Sequence, residues 1–272
     1  MTEHTILRDS GAGDPSRRAE QTAGDLPQRL PDEPPERATA RGTVYGILAL
    51  AFDRPGADFE RALEDGIFTT RLPAAAVRID DDLFTRADAV ASSVPSLETA
   101  HDEWANLFGV EHGLAVSPYE LSYLPGPLLT NIRRLADITG FYEAFDLRVR
   151  DGAEDRRDHI GFQNEFLAQL CFREATLRQH GDKQGVDVVV GARWAFLEDH
   201  LGRWYWWFVD EVAAEEADFY SDVAELLAAI VETDIDKTGL EPTYVPDDPS
   251  VLEWSEDVFA QSGRGCGGCG IG

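Results

Sequence analysis

Lysine is nearly missing from this 272-residue chain: Lys183 and Lys237 are its only lysines, and its other basic residues are arginines. Acidic residues outnumber basic ones by 51 to 24, which gives a formal net charge of −27. Nucleic acids and anionic membrane surfaces attract basic proteins, so this composition argues against both as partners. An acidic, lysine-poor surface stays hydrated in concentrated salt, where charge repulsion is screened. The composition therefore indicates a halophilic protein.

Long apolar runs and known catalytic motifs are also missing. No uninterrupted apolar run approaches the roughly 20 residues of a membrane-spanning helix, and the N-terminal region lacks the apolar core of an export signal. Ser16-Arg17-Arg18 is followed by a polar stretch, so we do not interpret it as a signal. The chain has no nucleophile elbow, zinc-protease motif, phosphate loop or dinucleotide fingerprint. We therefore expect a cytoplasmic protein without stable membrane insertion, with no enzymatic activity and no cofactor.

Apolar residues recur at helical spacing through most of the chain, and only the short β-branched stretch at 186–190 gives a competing strand signal. The predicted fold is a single-domain, all-α bundle of about eight or nine helices. Residues 1–38 are rich in proline and charge, and we predict a disordered leader there. The bundle is predicted to occupy residues 39–236. Residues 237–272 form an acidic and then Gly/Cys-rich tail, which we also predict to be disordered.

The stretch from Asp155 to His180 is predicted to be the central helix, because its apolar residues form a broad stripe. Asp158 precedes the stripe, where a short carboxylate can cap the first turn. His159 stands beside it, at the point where a polar loop meets a rigid element. Gln163 and Asn164 fall mostly on the polar side. This position suits recognition as well as capping.

A second long helix is predicted from Ala192 to Val212, with aromatic residues at three- and four-residue spacing. Trp206 projects away from that stripe. It is a candidate surface anchor for a partner, although packing against a neighbouring helix explains it equally well.

Three cysteines and six histidines leave few candidates for a metal site. Cys266 and Cys269 have C-x-x-C spacing, but tetrahedral zinc needs four ligands and Cys171 lies on the inner stripe of the central helix. An unstructured tail is the simpler interpretation, so Cys266 and Cys269 are only weak candidates for metal ligands. A metal-dependent enzyme using His101, His112 and His159 is the main alternative function, and a bare helical scaffold is a second.

Five groups of residues, taken in order, resemble one known family. They are Arg41-x-x-Val44-Tyr45-x-Ile47-Leu48-Ala49-x-Ala51-Phe52-x-x-Pro55, Glu103-Trp104-x-x-Leu107-Phe108, Pro118-Tyr119-Glu120, Asp158-His159-Ile160 leading into Glu165-Phe166, and His200-Leu201-x-x-Trp204 with Phe219-Tyr220. The chain is similar in these positions to the TorD/DmsD/NarJ family of molybdoenzyme-assembly chaperones, and its acidic composition suggests a haloarchaeal-type member.

The resemblance implies an all-helical cytoplasmic chaperone, a monomer or homodimer. Such a chaperone binds the twin-arginine leader and the apo catalytic subunit of a DMSO-reductase-family enzyme until the molybdopterin cofactor is inserted. The resemblance places recognition at Pro118, Tyr119, Glu120, Asp158 and His159, and we add Trp206 as a further candidate. Tyr119 offers an amphipathic contact surface, while Glu120 and Asp158 can pair with guanidinium groups. The alternative is that Asp158 is only a helix cap and Tyr119 only fills the loop.

Overall fold

The computed structural model describes residues 7–9, 33–109, 114–124, 126–149, 155–215 and 217–242. Within these ranges the chain forms eleven α-helices. They are α1 (Pro35–Phe52), α2 (Ala57–Glu64), α3 (Leu72–Ala76), α4 (Asp81–Ser93), α5 (Leu97–Phe108), α6 (Glu120–Tyr123), α7 (Leu128–Ala144), α8 (Ile160–His180), α9 (Lys183–Asp199), α10 (Tyr205–Ala213) and α11 (Asp218–Thr238). A π-helical turn at Ile67–Arg71 and a 3₁₀ turn at Leu201–Arg203 complete the helical elements.

The all-α prediction is confirmed. The structure has more than the predicted eight or nine helices, because short helices such as α3 and α6 span too few residues to show a periodic apolar pattern. Residues 186–190 are helical, since Val186, Val190 and Trp194 pack together on one face of α9. The single helix predicted from Ala192 to Val212 is wrong: it breaks at His200, and a 3₁₀ turn separates α9 from α10.

Helices α1 and α8 pack against each other more extensively than any other pair of described elements. Gly42 permits this approach, because a Cβ at that position would lie 2.9 Å from the Phe172 ring and 3.1 Å from the Ala168 carbonyl oxygen. Most other helices add buried apolar residues to the same core. Two three-residue strands, β1 (Leu7–Asp9) and β2 (Leu147–Val149), pair antiparallel beside this helical body. None of the described helices is both long enough and apolar enough to cross a bilayer.

One cluster of charged residues lies inside the bundle, and we call Arg41, Tyr45, Glu174, Arg193 and Asp234 the core charge cluster. Arg41 Nε lies 2.8 Å from Asp234 Oδ1, and Arg193 Nη1 lies 2.8 Å from Glu174 Oε2. Tyr45 Oη donates a 3.0 Å hydrogen bond to Asp234 Oδ2. All five residues are at most 4% exposed. The cluster therefore ties α1, α8, α9 and α11 together through paired, desolvated charges.

Cys171 lies beside this cluster on α8 and is fully buried. Arg193 Nη1 donates to its Sγ at 3.4 Å. Burial raises the pKa of Cys171 to about 11, although the neighbouring arginines act in the opposite direction. The thiol therefore stays protonated at neutral pH and behaves as a core residue.

Candidate functional site

The loop after α5 meets the start of α8, and this contact brings together five of the six predicted recognition residues, which are Pro118, Tyr119, Glu120, Asp158 and His159. Tyr119 and His159 form an isolated antiparallel bridge. The Glu120 N–H donates to the Asp158 carbonyl at 3.1 Å, and the Ile160 N–H donates to the Pro118 carbonyl at 2.8 Å. We call this contact between residues 118–121 and 155–160 the loop–helix junction. Its backbone hydrogen bonds fix the position of the side chains that follow.

Asp158 does not cap α8, which corrects the prediction from the sequence. The N-cap is His159, whose Nδ1 accepts a 3.0 Å hydrogen bond from the Gly161 N–H. The Asp158 carboxylate turns toward the loop instead and accepts the Leu121 N–H at 3.1 Å. Asp158 is completely buried, so it joins the loop to the helix from inside the junction.

Arg156 covers the outer side of Asp158. Its Nε and Nη2 atoms donate to the two carboxylate oxygens of Asp158 at 3.0 and 2.6 Å. Its guanidinium carbon lies 4.5 Å from the centroid of the Tyr119 ring, and Tyr119 Oη donates to Asp155 at 2.6 Å. The hydrogen bond to Asp158 raises the pKa of Arg156, and the Arg156 side chain remains 50% exposed.

Glu120 is also completely buried, in a different pocket of the junction. Gln163 Nε2 donates to its Oε2 at 2.6 Å, and His200 Nδ1 lies 3.1 Å from its Oε1. His200 Nε2 faces Asp137 at 3.4 Å. The break between α9 and α10 places His200 at this point. Gln163, expected on a polar helix face, is therefore buried as a partner of Glu120.

The two buried histidines of the site differ in protonation. Burial lowers the pKa of His159, and its capping role requires the neutral ring because Nδ1 accepts a hydrogen bond. Burial also acts to lower the pKa of His200, but Glu120 and Asp137 raise it to about 9. His200 is therefore an imidazolium at neutral pH, and His159 is not.

A groove of about 780 Å³ opens next to the junction, between α7 and residues 155–157. Leu135, Ala136 and Val149 give it apolar walls, and Glu143 and Asp155 give it carboxylates. Arg156 and Arg157 also line it. The groove thus combines apolar surface with groups that bind cations, at the exposed end of the junction.

The histidines of the metal-enzyme alternative do not form a cluster in the described residues. His101 lies at the surface of α5, where its Nε2 is 3.5 Å from Arg54 Nη2. His159 is occupied with capping, and His112 lies outside the described residues. Cys266 and Cys269 lie outside them as well. Across the ranges described, no three metal-ligating side chains come together.

Trp206 is partly buried on α10 rather than fully projecting. Its ring centroid lies 5.3 Å from that of Trp207, which in turn lies 6.5 Å from the ring of Tyr123 in α6. Its Nε1 has no hydrogen-bond partner among the described residues. Trp206 therefore has packing contacts, and its role as a partner anchor stays a prediction.

Sequence reasoning missed Arg156, Gln163, His200 and Tyr142 as site residues. Tyr142 is buried in α7, and its Oη donates to the Arg157 carbonyl at 3.0 Å, which holds residues 155–157 against that helix. The sequence did contain a signal for His200, because this residue is the first of the His200-Leu201-x-x-Trp204 motif that resembles the family. The pairing of Arg156 with Asp158 had none, since neighbours two positions apart face each other only in a particular loop conformation.

Comparisons with known proteins connect the chain with one family and with two reductase assembly chaperones. A family model described as "Nitrate reductase delta subunit" matches residues 70–210. The chain is 31% identical over 147 residues to the chlorate reductase assembly chaperone protein of Ideonella dechloratans, covering 53% of this chain and 73% of that protein. It is 30% identical over 144 residues to the selenate reductase assembly chaperone protein of Thauera selenatis, covering 52% and 72%. No solved structure matches the chain significantly.

Proposed function

Because the chain belongs to the nitrate reductase delta subunit family, we propose that it is an assembly chaperone for a molybdopterin-dependent reductase. It binds the twin-arginine leader and the apo catalytic subunit of a DMSO-reductase-family enzyme and holds them until the cofactor is inserted. It acts in the cytoplasm, as a monomer or homodimer, and performs no chemistry of its own. The observation that carries the proposal is its similarity to two proteins named as reductase assembly chaperones.

The groove beside the loop–helix junction supports leader binding there. A twin-arginine leader presents two guanidinium groups followed by an apolar stretch. Glu143 is exposed and Asp155 is partly exposed, so both can meet guanidinium groups at the surface. Leu135 and Val149 offer apolar contacts for the stretch that follows. Two of the predicted recognition residues contact residues that line this groove: Tyr119 donates to Asp155, and Asp158 accepts from Arg156.

A second groove, of about 700 Å³, lies elsewhere between α8 and α9. Phe145, Phe172 and Leu177 make it more apolar than the groove at the junction. Its one carboxylate, Asp182, already caps α9 by accepting the Gly185 N–H at 3.0 Å. We therefore favour the groove at the junction for a doubly cationic peptide.

Fluorescence anisotropy with a labelled twin-arginine peptide tests the proposal. We expect the protein to bind this peptide and to bind its twin-lysine analogue more weakly, since lysine lacks the planar fork of arginine. Glu143→Gln should weaken binding roughly threefold to tenfold without changing the melting temperature, because the side chain is exposed.

Glu225→Gln is the matched control, since Glu225 is also exposed but pairs with Arg86 on the α4–α11 side of the molecule. It should leave peptide affinity unchanged. The titrations should use the lowest salt at which the protein stays folded, because salt screens exposed charges. Equal affinity for the arginine and lysine peptides, or none for either, would rule out leader recognition. Co-purification with a reductase catalytic subunit tests the rest of the proposal separately.

A further inference from the structure

The loop–helix junction contacts one guanidinium group along an edge and on a face. The Asp158 carboxylate accepts two hydrogen bonds in a fork, and the Tyr119 ring lies against the guanidinium at 4.5 Å. A carboxylate at the edge and an aromatic ring at the face are the two contacts that proteins use to recognise arginine. In this structure the group bound there is the side chain of the chain's own Arg156.

The two partners in this ion pair differ in how firmly they are held. Asp158 is completely buried, and one of its oxygens also accepts the Leu121 N–H. The Arg156 side chain is 50% exposed, and among the described residues it donates hydrogen bonds to Asp158 alone. The anion is therefore fixed in the fold, whereas the cation on it is half in water and can leave toward solvent if another cation takes its place on Asp158.

We propose that Asp158 and Tyr119 form a guanidinium-binding site that Arg156 occupies in the free protein and from which an arginine of the client displaces it. Arg156 then competes with the ligand for the site. The apparent affinity of the protein for the ligand is reduced in proportion to the fraction of molecules in which Arg156 occupies the site. The identity of the ligand as a leader arginine rests on the proposed function. The site itself rests only on the contacts of Arg156.

Glu120 cannot serve as a second site of this kind. Its carboxylate faces Gln163 and His200, both of which are at most 2% exposed. A guanidinium from solvent could reach it only if the junction opened. Of the two carboxylates predicted to bind arginine, the structure therefore favours Asp158.

Arg157 provides a matched control for Arg156. It is the next residue and carries the same charge, but its Nη1 donates to Thr139 Oγ1 at 3.0 Å, and among the described residues the ion pair to Asp158 comes from Arg156. Arg156→Ala and Arg157→Ala thus remove equal charge from the same surface. Only the first empties the site.

Chemical rescue tests the site without any client. Thermal melts of the 272-residue chain are recorded with millimolar methylguanidinium, and with methylammonium as the ionic control. We expect methylguanidinium to raise the melting temperature of Arg156→Ala saturably, and to leave the wild type and Arg157→Ala unchanged. Arg156→Gln, which keeps more of the side chain, replaces Arg156→Ala if that variant does not fold. No difference between the two cations in either variant would overturn the site.

Peptide binding tests the displacement. Arg156→Ala should bind the twin-arginine peptide about threefold to tenfold more tightly than the wild type, while Arg157→Ala should match the wild type. An equal gain in both variants would show a general charge effect and overturn the proposal. Wild-type affinity in Arg156→Ala would also overturn it, while leaving the proposed function intact. If no variant binds the peptide, the leader proposal fails, and the methylguanidinium result still decides whether the site exists.

Discussion

The core charge cluster and the loop–helix junction bury the same kind of anion but pair it with different cations. In the core charge cluster, Glu174 and Asp234 face Arg193 and Arg41, which are both 4% exposed. At the junction, Asp158 faces the half-exposed Arg156, and Glu120 faces a histidine that can lose its proton. Arginine stays charged at all practical pH values, so the first arrangement is permanent. The second can exchange its cation, as the proposed guanidinium site requires, or neutralise it.

The largest expected loss of stability comes from removing a carboxylate of the core charge cluster. Glu174→Gln leaves Arg193 buried without its anion, and Arg193 cannot neutralise itself. We expect a loss of about 3–5 kcal/mol in the free energy of unfolding, measured by denaturant titration. Glu225→Gln, at the exposed pair with Arg86, should cost less than about 1 kcal/mol. A loss below 1 kcal/mol at Glu174 would show that the core charge cluster is not a stabilising network.

A smaller effect is expected from the same change at the junction. Glu120→Gln keeps the shape of the side chain and an acceptor for Gln163, and His200 can respond by releasing its proton. We expect a loss of about 1–3 kcal/mol at neutral pH by the same titration. A loss as large as that of Glu174→Gln would remove the distinction between the two regions.

Measurements against pH sharpen the comparison, because the junction contains two buried histidines with shifted pKa values and the core charge cluster contains no histidine. The folded pKa of His200, about 9, exceeds the ordinary value near 6.5, so its stabilising contribution is complete below pH 6.5 and is lost as pH rises through 9. The contribution amounts to roughly 2–4 kcal/mol. His159 has a lowered pKa, so its contribution is present above pH 6.5 and is lost as pH falls below that value.

Melting temperatures measured from pH 5 to pH 10 should therefore decline on both sides of neutrality. Glu120→Gln should remove most of the alkaline decline and leave the acid side unchanged, since the carboxylates that raise the pKa of His159 are Asp155, Asp53 and Asp158. An alkaline decline of equal size in the wild type and the variant would assign it to groups other than His200.

The smallest expected loss of stability follows from removing Arg156, the exchangeable cation of the junction. Arg156→Gln should lower the free energy of unfolding by only about 1 kcal/mol, because Arg156 covers the outer side of Asp158, where water can replace it, and Asp158 keeps its hydrogen bond from the Leu121 N–H. The change should shrink further as salt is added. A loss of several kcal/mol would mean that Arg156 is a structural partner of Asp158 rather than a replaceable one.

Local signals in the sequence predicted much of the fold. The spacing of apolar residues identified α8 and its end at His180, although that helix begins at Ile160 rather than at Asp155. The order of short motifs indicated the TorD/NarJ-type chaperone family, which the family match confirms. The family resemblance also assigned Tyr119 and His159 to one site, and the two residues form a bridge in the structure.

The predictions that failed depended on local backbone geometry or on distant partners, which the spacing of apolar residues does not show. The apolar pattern runs unbroken through His200, so periodicity alone could not show where the helix ends. Gly202 was the overlooked signal, since a Cβ there would lie 2.4 Å from the Leu197 carbonyl oxygen. Gln163 was assigned to a polar face because its partner, Glu120, lies 43 residues earlier in the chain. Asp158 was taken for a cap because a histidine cap is less common than an aspartate cap.

The buried thiol of Cys171 has a practical consequence for labelling experiments. With its pKa near 11 and no solvent contact, it should not react with maleimide at neutral pH while α8 stays folded. Any label attached to the native chain should therefore reside on Cys266 or Cys269. Modification of the third thiol then reports the opening of the helix core, so mass spectrometry of pulse-labelled protein should count unfolded molecules directly.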